Sequence, residues 1–326
     1  MALHAFDTRS LRLNSLARQH LRANLLMLIA AMIWGSAFVA QRLSLDVIGP
    51  FLFTGLRFLL GAAVVSILLI CLRPFSAART RKPLPAECTH RTAPVALWRA
   101  GIVLGLLLAV AISLQQTGLR YTKVANAGFI SSLYVVIVPL IGVALRHQTN
   151  LGTWLGALLA AIGMYFLSVD EHFSMLYGDW YQLAGALVIS AQVVLVGRFA
   201  RRHDPLTLAL VQFIACGLTC SAIALAIEPL RIADIVRAAP TILYGGALSV
   251  GVAYTIQVVA QKDAAPAHAA VIFSMEGVFA ALAGWLVLGE TLTSRASLGC
   301  GLMLAGLIAC QVMPLWSARR QVSPLG

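Results

Sequence analysis

The stretch Asn126–Leu140, "NAGFISSLYVVIVPL", decides the fold. It sits inside an apolar run, 123–145, that is long enough to cross a bilayer as a helix. A plain hydrophobic helix would carry Leu and Val throughout. Here Asn126, Ser131, Ser132 and Tyr134 bring polar groups to that depth, and Gly128 and Pro139 bring helix breakers. A second stretch, His268–Leu282, "HAAVIFSMEGVFAAL", has the same pattern in worn form.

Composition sets the environment. Of 326 residues, 60% are apolar and 11% charged, with a mean hydropathy of +0.87. A soluble domain carries about 25% charge. So much apolar surface must face lipid. Ten apolar runs of membrane-crossing length appear, at 23–42, 50–72, 99–119, 123–145, 150–168, 179–198, 204–227, 240–261, 264–288 and 293–316. They lack the alternation of barrel strands. The expected fold class is an all-α polytopic membrane protein with ten transmembrane helices. Residues 1–22 and 317–326 form the terminal segments. The Pro-rich, basic stretch 73–97 is the one sizeable loop, expected to be unstructured.

The net charge of +12 raises nucleic acid as a partner, but its placement argues for a membrane. With the N-terminus in the cytoplasm, most of the 24 Lys and Arg fall on that side, among them Arg9, Arg12, Arg18, Arg22, Arg79, Arg81, Lys82, Arg201, Arg202, Arg319 and Arg320. That bias fits the positive-inside rule with both termini inside. The cytoplasmic (inner) membrane of a bacterium is the expected location. The six Cys are scattered without metal-ligand spacing or a disulfide framework, so neither a metal nor a cofactor is expected. No GxxxxGK[ST], HExxH or GxSxG occurs, which excludes an ATPase motor on this chain and gives no sign of an enzyme.

The two stretches belong to an internal duplication. Laying residues 114–133 over 256–275, an offset of 142, places Gln115 on Gln257, Ala125 on Ala267, Ala127 on Ala269, Ile130 on Ile272 and Ser132 on Ser274. Pro50 and Phe58 match Pro205 and Phe213 at an offset of 155, and Gly156 and Gly163 match Gly299 and Gly306 at 143. The halves are then 23–170 and 178–316. Five helices per half is odd, so the second half must enter from the opposite face. This is the inverted-repeat plan of many secondary transporters, whose sites lie near the midplane.

Depth follows from spacing. Tyr134 lies 11 residues past Lys123, and Glu276 lies 11 past Ala265, each about 16 Å in. They are repeat partners arriving from opposite faces, as are Asn126 and His268 nearer each mouth. Polar groups at such depth are costly against lipid and are expected to face a cavity. Pro139 removes a backbone donor and is expected to bend the fourth helix.

The pieces "IWGSAFVAQR", "GLRFLLGA", "YTKVANAGFISSLYVVIVPL", "GWLVLGETLTSRASLG" and "GLMLAGLIA", in this order across about residues 22–315, resemble the EamA family of the drug/metabolite transporter superfamily. The resemblance implies a ten-helix carrier with both termini in the cytoplasm. Helices 1–4 and 6–9 would surround a central cavity, and the activity would most often be export of small metabolites such as amino acids.

Each candidate carries a structural alternative. A carboxylate at Glu276 costs about 2.5–3.5 kcal/mol near the bilayer centre even on the lenient scale. It is read as a proton carrier or a holder of a substrate ammonium group, or else as a buried brace. His268 could relay protons, or be a wetted mouth residue. Arg57 could take a substrate carboxylate in a two-pronged contact, or snorkel. Trp34 could wall the cavity, or be core. Tyr134, Asn126, Gln115, Gln192 and Gln257 are candidate liners, though in lipid a Gln often bonds a neighbouring helix. The GxxxG pairs Gly101–Gly105 and Gly152–Gly156 are read as packing within one chain, and the assembly as a monomer or homodimer. The functional reading is a gradient-driven carrier of a small-molecule substrate, with protons as the candidate coupling ion, working by alternating access. The alternative is a non-transporting membrane sensor or assembly partner that kept the fold. A polar void at the midplane discriminates the first from the second.

Overall fold

A computed structural model describes residues 2–79, 94–122, 124–146, 149–168, 176–288 and 293–322. Among the described residues all regular structure is helical. In chain order the helices are α1 (Ala2–Leu45), α2 (Pro50–Arg79), α3 (Pro94–Gly118), α4 (Val124–Ser131), α5 (Tyr134–Ala144), α6 (Leu151–Ser168), α7 (Tyr177–Phe199), α8 (Pro205–Ile227), α9 (Ile232–Arg237) and α10 (Ala239–Leu243). A π-helical stretch, Tyr244–Tyr254, follows, and then α11 (Thr255–Ala260), α12 (Pro266–Phe273), α13 (Glu276–Leu288) and α14 (Ser294–Val322). Leu151, Leu225, Leu286 and Ile70 project outward, as lipid-facing side chains must. Phe53, Phe58, Phe213 and Met27 are buried at the centre.

Eight helical stretches of the described residues are long and apolar enough to cross a membrane, and two shorter apolar helices are Tyr134–Ala144 and Leu151–Phe166. The two shorter helices lie in the runs expected at 123–145 and 150–168, and the run expected at 264–288 is one of the eight although it too is broken. The run expected at 123–145 is split into α4 and α5. The run expected at 264–288 is split in the same way, into α12 and α13. Helix also extends into both ends of the stretch 73–97 expected as a loop, since α2 continues to Arg79 and α3 begins at Pro94, and residues 80–93 lie outside the described residues.

The two breaks have one backbone pattern. At the first, Ser132 N–H bonds the Gly128 carbonyl at 3.1 Å, Leu133 the Ile130 carbonyl at 3.2 Å, Val135 the Ser132 carbonyl at 3.0 Å and Ile137 the Leu133 carbonyl at 3.1 Å. At the second, Ser274 bonds Ala270 at 3.0 Å, Met275 bonds Ile272 at 3.2 Å, Gly277 bonds Ser274 at 3.1 Å and Phe279 bonds Met275 at 3.1 Å. These four donors and acceptors correspond at the offset of 142, and the first break has a further bond from Val136 N–H to the Leu133 carbonyl at 2.9 Å. The i−3 bonds mark a tight turn that interrupts the α ladder. Pro139 is not its cause: it lies inside α5, past the break, and its counterpart at 281 is Ala281. Ser274 Oγ bonds the Val271 carbonyl at 2.8 Å, a back-bond that competes with the helix ladder.

Close seams hold the layers. α6 runs antiparallel along α14: a Cβ on Gly156 would come 2.8 Å from the Gly306 carbonyl, and a Cβ on Gly163 2.8 Å from Met303 N. Only glycine permits that approach. α2 packs on α8, and the two are tied at their ends. The Glu228 carboxylate, just past α8, accepts the first free N–H groups of α2, Phe51 at 2.9 Å and Leu52 at 2.7 Å. It thus satisfies donors that have no intrahelical partner and complements the helix dipole. α8 itself starts on Pro205 behind Asp204, whose carboxylate accepts from Thr207 N at 2.8 Å.

α7 fixes the two ends of the molecule. Gly178 lies against Gly118 and Thr122, and Gly197 lies against Pro266. At about 1.5 Å per residue these contacts are about 28 Å apart. α4 therefore starts at one end and α12 at the other, and both break where they approach the middle.

Candidate functional site

The cavity lies where the two breaks meet. It offers about 50 Å³ to the centres of water-sized molecules, room for a few waters. Six of the sequence-predicted residues line it: Trp34, Arg57, Gln115, Tyr134, Gln257 and Glu276. Glu276 opens α13 and Tyr134 opens α5, so each is the first residue after its break. The Tyr134 hydroxyl donates to Glu276 Oε1 at 2.9 Å, and the Ser132 hydroxyl approaches the same oxygen at 3.4 Å. The sequence pairs these positions as repeat partners, and in the fold they touch.

Gly35 brings α1 to the same point. A Cβ there would sit 2.6 Å from the Glu276 carbonyl oxygen and 2.6 Å from Phe279 Cβ. Its neighbour Trp34 then walls the cavity. The indole N–H donates to the Ser249 carbonyl at 3.3 Å, and the ring packs on Tyr254 (centroids 4.6 Å apart) and Phe273 (5.2 Å). Tilted aromatic contacts of this kind fix ring orientation as well as burying area. Arg57 is 2% exposed, with its guanidinium carbon 5.1 Å from the Phe53 centroid and 5.4 Å from the Phe58 centroid. Its Nε has no hydrogen-bond partner, and neither has Gln257 Oε1.

Two predicted residues stand elsewhere. Gln192 is fully buried, away from the lining, with both amide atoms unpartnered. His268 sits at the Pro266 end, bonded through Nε2 to Asn24 Oδ1 at 3.0 Å and through Nδ1 to Cys310 Sγ at 3.1 Å. Cys310 in turn contacts Thr153 Oγ1 at 3.7 Å, so the chain of contacts joins α1, α12, α14 and α6. The side chain of Asn126 lies outside the described residues. The far end of the molecule has its own polar cluster. Asp179 accepts from the Thr122 hydroxyl and from Leu176 N at 2.7 Å. Gln182 accepts from Ser131 at 2.9 Å and donates to the Gln115 carbonyl at 2.8 Å. Asn24 and Asp179 are themselves partners at the offset of 155.

Sequence reasoning missed Tyr254, Phe273 and Ser249, which complete the wall around Trp34. Their signal was weak, because aromatic and small residues in an apolar run read as core. The glycines of "YGGALSVGVAY" were the available hint: they let the π-helical stretch lie against α2.

A cavity of mixed polar and apolar lining thus lies between two similarly broken helices. The chain is similar to an uncharacterized transporter of Archaeoglobus fulgidus, at 29% identity over 291 residues, covering 89% of this chain and 86% of that protein. It is also similar to the uncharacterized transporter YoaV of Bacillus subtilis, at 24% identity, covering 85% of this chain and 92% of that protein. A crystal structure at 19% identity superposes with a TM-score of 0.71, covering 93% of this chain and 99% of the other, so the two share a fold. The profile of the EamA-like transporter family matches residues 21–169 and again 176–310. With nearly the whole length accounted for in those two segments, the chain belongs to the EamA-like transporter family and is a multi-pass membrane transporter.

Proposed function

We propose that the protein is a gradient-driven exporter of small polar metabolites, amino acids among them, working by alternating access in a bacterial inner membrane with both termini in the cytoplasm. In this reading it has ten crossings arranged as two inverted five-helix repeats, 23–170 and 178–316, with α4–α5 as the fourth crossing and α12–α13 as the ninth. Support comes from the matched breaks and from α4 and α12 starting at opposite ends. The family profile also matches once in each half.

The observation that carries the reading is the Tyr134–Glu276 contact in the wall of the cavity. A carboxylate there can exchange a proton, or hold a cationic group, with either end of the molecule as the pathway. The two polar clusters are suited to act as opposing gates: Asn24–His268–Cys310 at one end and Thr122–Asp179 with Ser131–Gln182 at the other. Opening one while the other stays bonded would expose the cavity to one side at a time. A cavity that gathers Gln41, Arg57, Gln115, Gln257 and Glu276 among apolar side chains also favours a carrier over a sensor that merely kept the fold. The test is flux of an amino-acid panel from proteoliposomes under an imposed pH gradient. Coupled flux in the wild type that disappears in Glu276→Gln, with an unchanged melting profile, is the expected result. Gradient-driven flux that is the same in both removes Glu276 from the mechanism.

A further inference from the structure

Among the described residues, Arg57 is a cation in the cavity wall without a counter-ion. Among the described residues the ion pair that forms is Arg237–Asp234, at 3.9 Å on the surface. Arg57 has no acid within bonding reach and no hydrogen-bond acceptor on Nε, although it is almost completely buried. An isolated buried charge is expensive, and a guanidinium remains charged under all ordinary conditions. The faces of Phe53 and Phe58 compensate it in part and hold it in place, but they offer no lone pairs. Across the same cavity Glu276 spends only Oε1 on Tyr134 and Ser132. Gln257, also in the wall, leaves Oε1 unpartnered. The repeat partner of Arg57 is the uncharged Gln212, which does not line the cavity, so the cation stands on one side only.

We infer that Arg57 is the subsite for an anionic group of the transported solute, a carboxylate bound through the fork of the guanidinium. The inference rests on the carrier reading and narrows its substrate class. A neutral or purely cationic solute leaves the buried charge of Arg57 unmatched. A solute with a carboxylate satisfies it, and one that also carries an ammonium group can place that group toward the free oxygen of Glu276. Planar two-point recognition is what distinguishes Arg from Lys at such a position.

The experiment uses the full chain in neutral phosphatidylcholine liposomes, and again with anionic lipid added. Three forms of each of several aliphatic amino acids compete with the parent compound for flux: the free acid, the amide, which loses the carboxylate, and the N-acetyl derivative, which loses the ammonium group. In the wild type the acids and N-acetyl acids should compete about tenfold to a hundredfold better than the amides, the size expected for a hydrogen bond to a charged group. The discrimination should vanish in Arg57→Gln and shrink in Arg57→Lys. It should be the same in both lipids, because a lipid headgroup on Arg57 would make it depend on anionic lipid. Arg57→Lys keeps the charge and is the variant of record where Arg57→Gln does not fold. Equal competition by acids and amides in the wild type overturns the subsite and leaves the carrier reading standing. So does discrimination that survives both substitutions at Arg57. Absence of flux for every compound overturns the subsite together with the carrier reading.

Discussion

The break between α4 and α5 and the break between α12 and α13 share a backbone but not a chemistry. Corresponding hydrogen bonds agree donor for donor at an offset of 142, and both second halves start on a polar residue in the cavity. One half supplies Tyr134, which donates; the other supplies Glu276, which accepts. Two tyrosines at this point would have no charge to exchange. Two carboxylates would repel each other unless they shared a proton. The matching turns bring two helix starts together, and the difference between Tyr134 and Glu276 makes the contact attractive.

Substitutions at the contact should break this comparison most severely. Glu276→Gln should reduce pH-driven flux to background. Tyr134→Phe, which leaves the Ser132 approach in place, should lower it by about tenfold, because a hydrogen bond to a charged group is worth about 1.5–3 kcal/mol. Equal losses in the two variants would mean that the hydroxyl is as essential as the carboxylate. Undiminished flux in Tyr134→Phe would reduce the contact to a brace.

The next effect is steric. Gly35→Val drives a side chain into the Glu276 carbonyl and Phe279 Cβ, and the carbonyl is backbone that cannot swing aside. A loss of about 1–3 kcal/mol is expected, seen as a lower melting temperature in detergent. An unchanged melting temperature would show that α1 does not bear on the second break.

The two ends give a smaller contrast. Asp179 is fully buried and satisfies both the Thr122 hydroxyl and the Leu176 N–H, so Asp179→Ala should cost about 1–2 kcal/mol. Its partner Asn24 is seen to bond only His268, which keeps Cys310, so Asn24→Ala should cost about 0.5–1.5 kcal/mol. Thermal unfolding of the two variants side by side checks the order. The reverse order would place the stronger fastening at the Pro266 end.

The smallest change compares the first halves of the broken helices. Gly128 has open space where a Cβ would go, and its counterpart is already Ala270. Gly128→Ala should raise stability by about 0.5–1 kcal/mol through helix propensity alone. A loss instead would mean that the first break needs glycine where the second does not.

Several features of the site were legible in particular residues. Tyr134 and Glu276 were found as partners because spacing from the helix mouth sets depth and the offset sets correspondence. Trp34 and Arg57 stood out because they interrupt apolar runs, and both line the cavity. Gln192 stood out on the same grounds and yet is sealed away from it. A polar residue in an apolar helix signals that it avoids lipid, but which neighbour it meets depends on rotation about the helix axis. Tyr254 and Phe273 show the converse, since an aromatic in an apolar run looks like core until the cavity beside it is seen.

By itself the sequence determined that this chain lives in lipid, that it is helical and that residues 114–133 and 256–275 correspond at a fixed offset. Apolar length, the missing alternation and the fixed offset are properties of one dimension. The tertiary structure alone decided that α4 and α12 stop short and restart at the centre, that Gly35 seats α1 against Glu276, and that Arg57 stands without a counter-ion among the described residues. Those facts depend on which helix faces meet, and helix contacts in a membrane are set by close packing of small residues and by a few polar bonds, which a hydropathy pattern does not record.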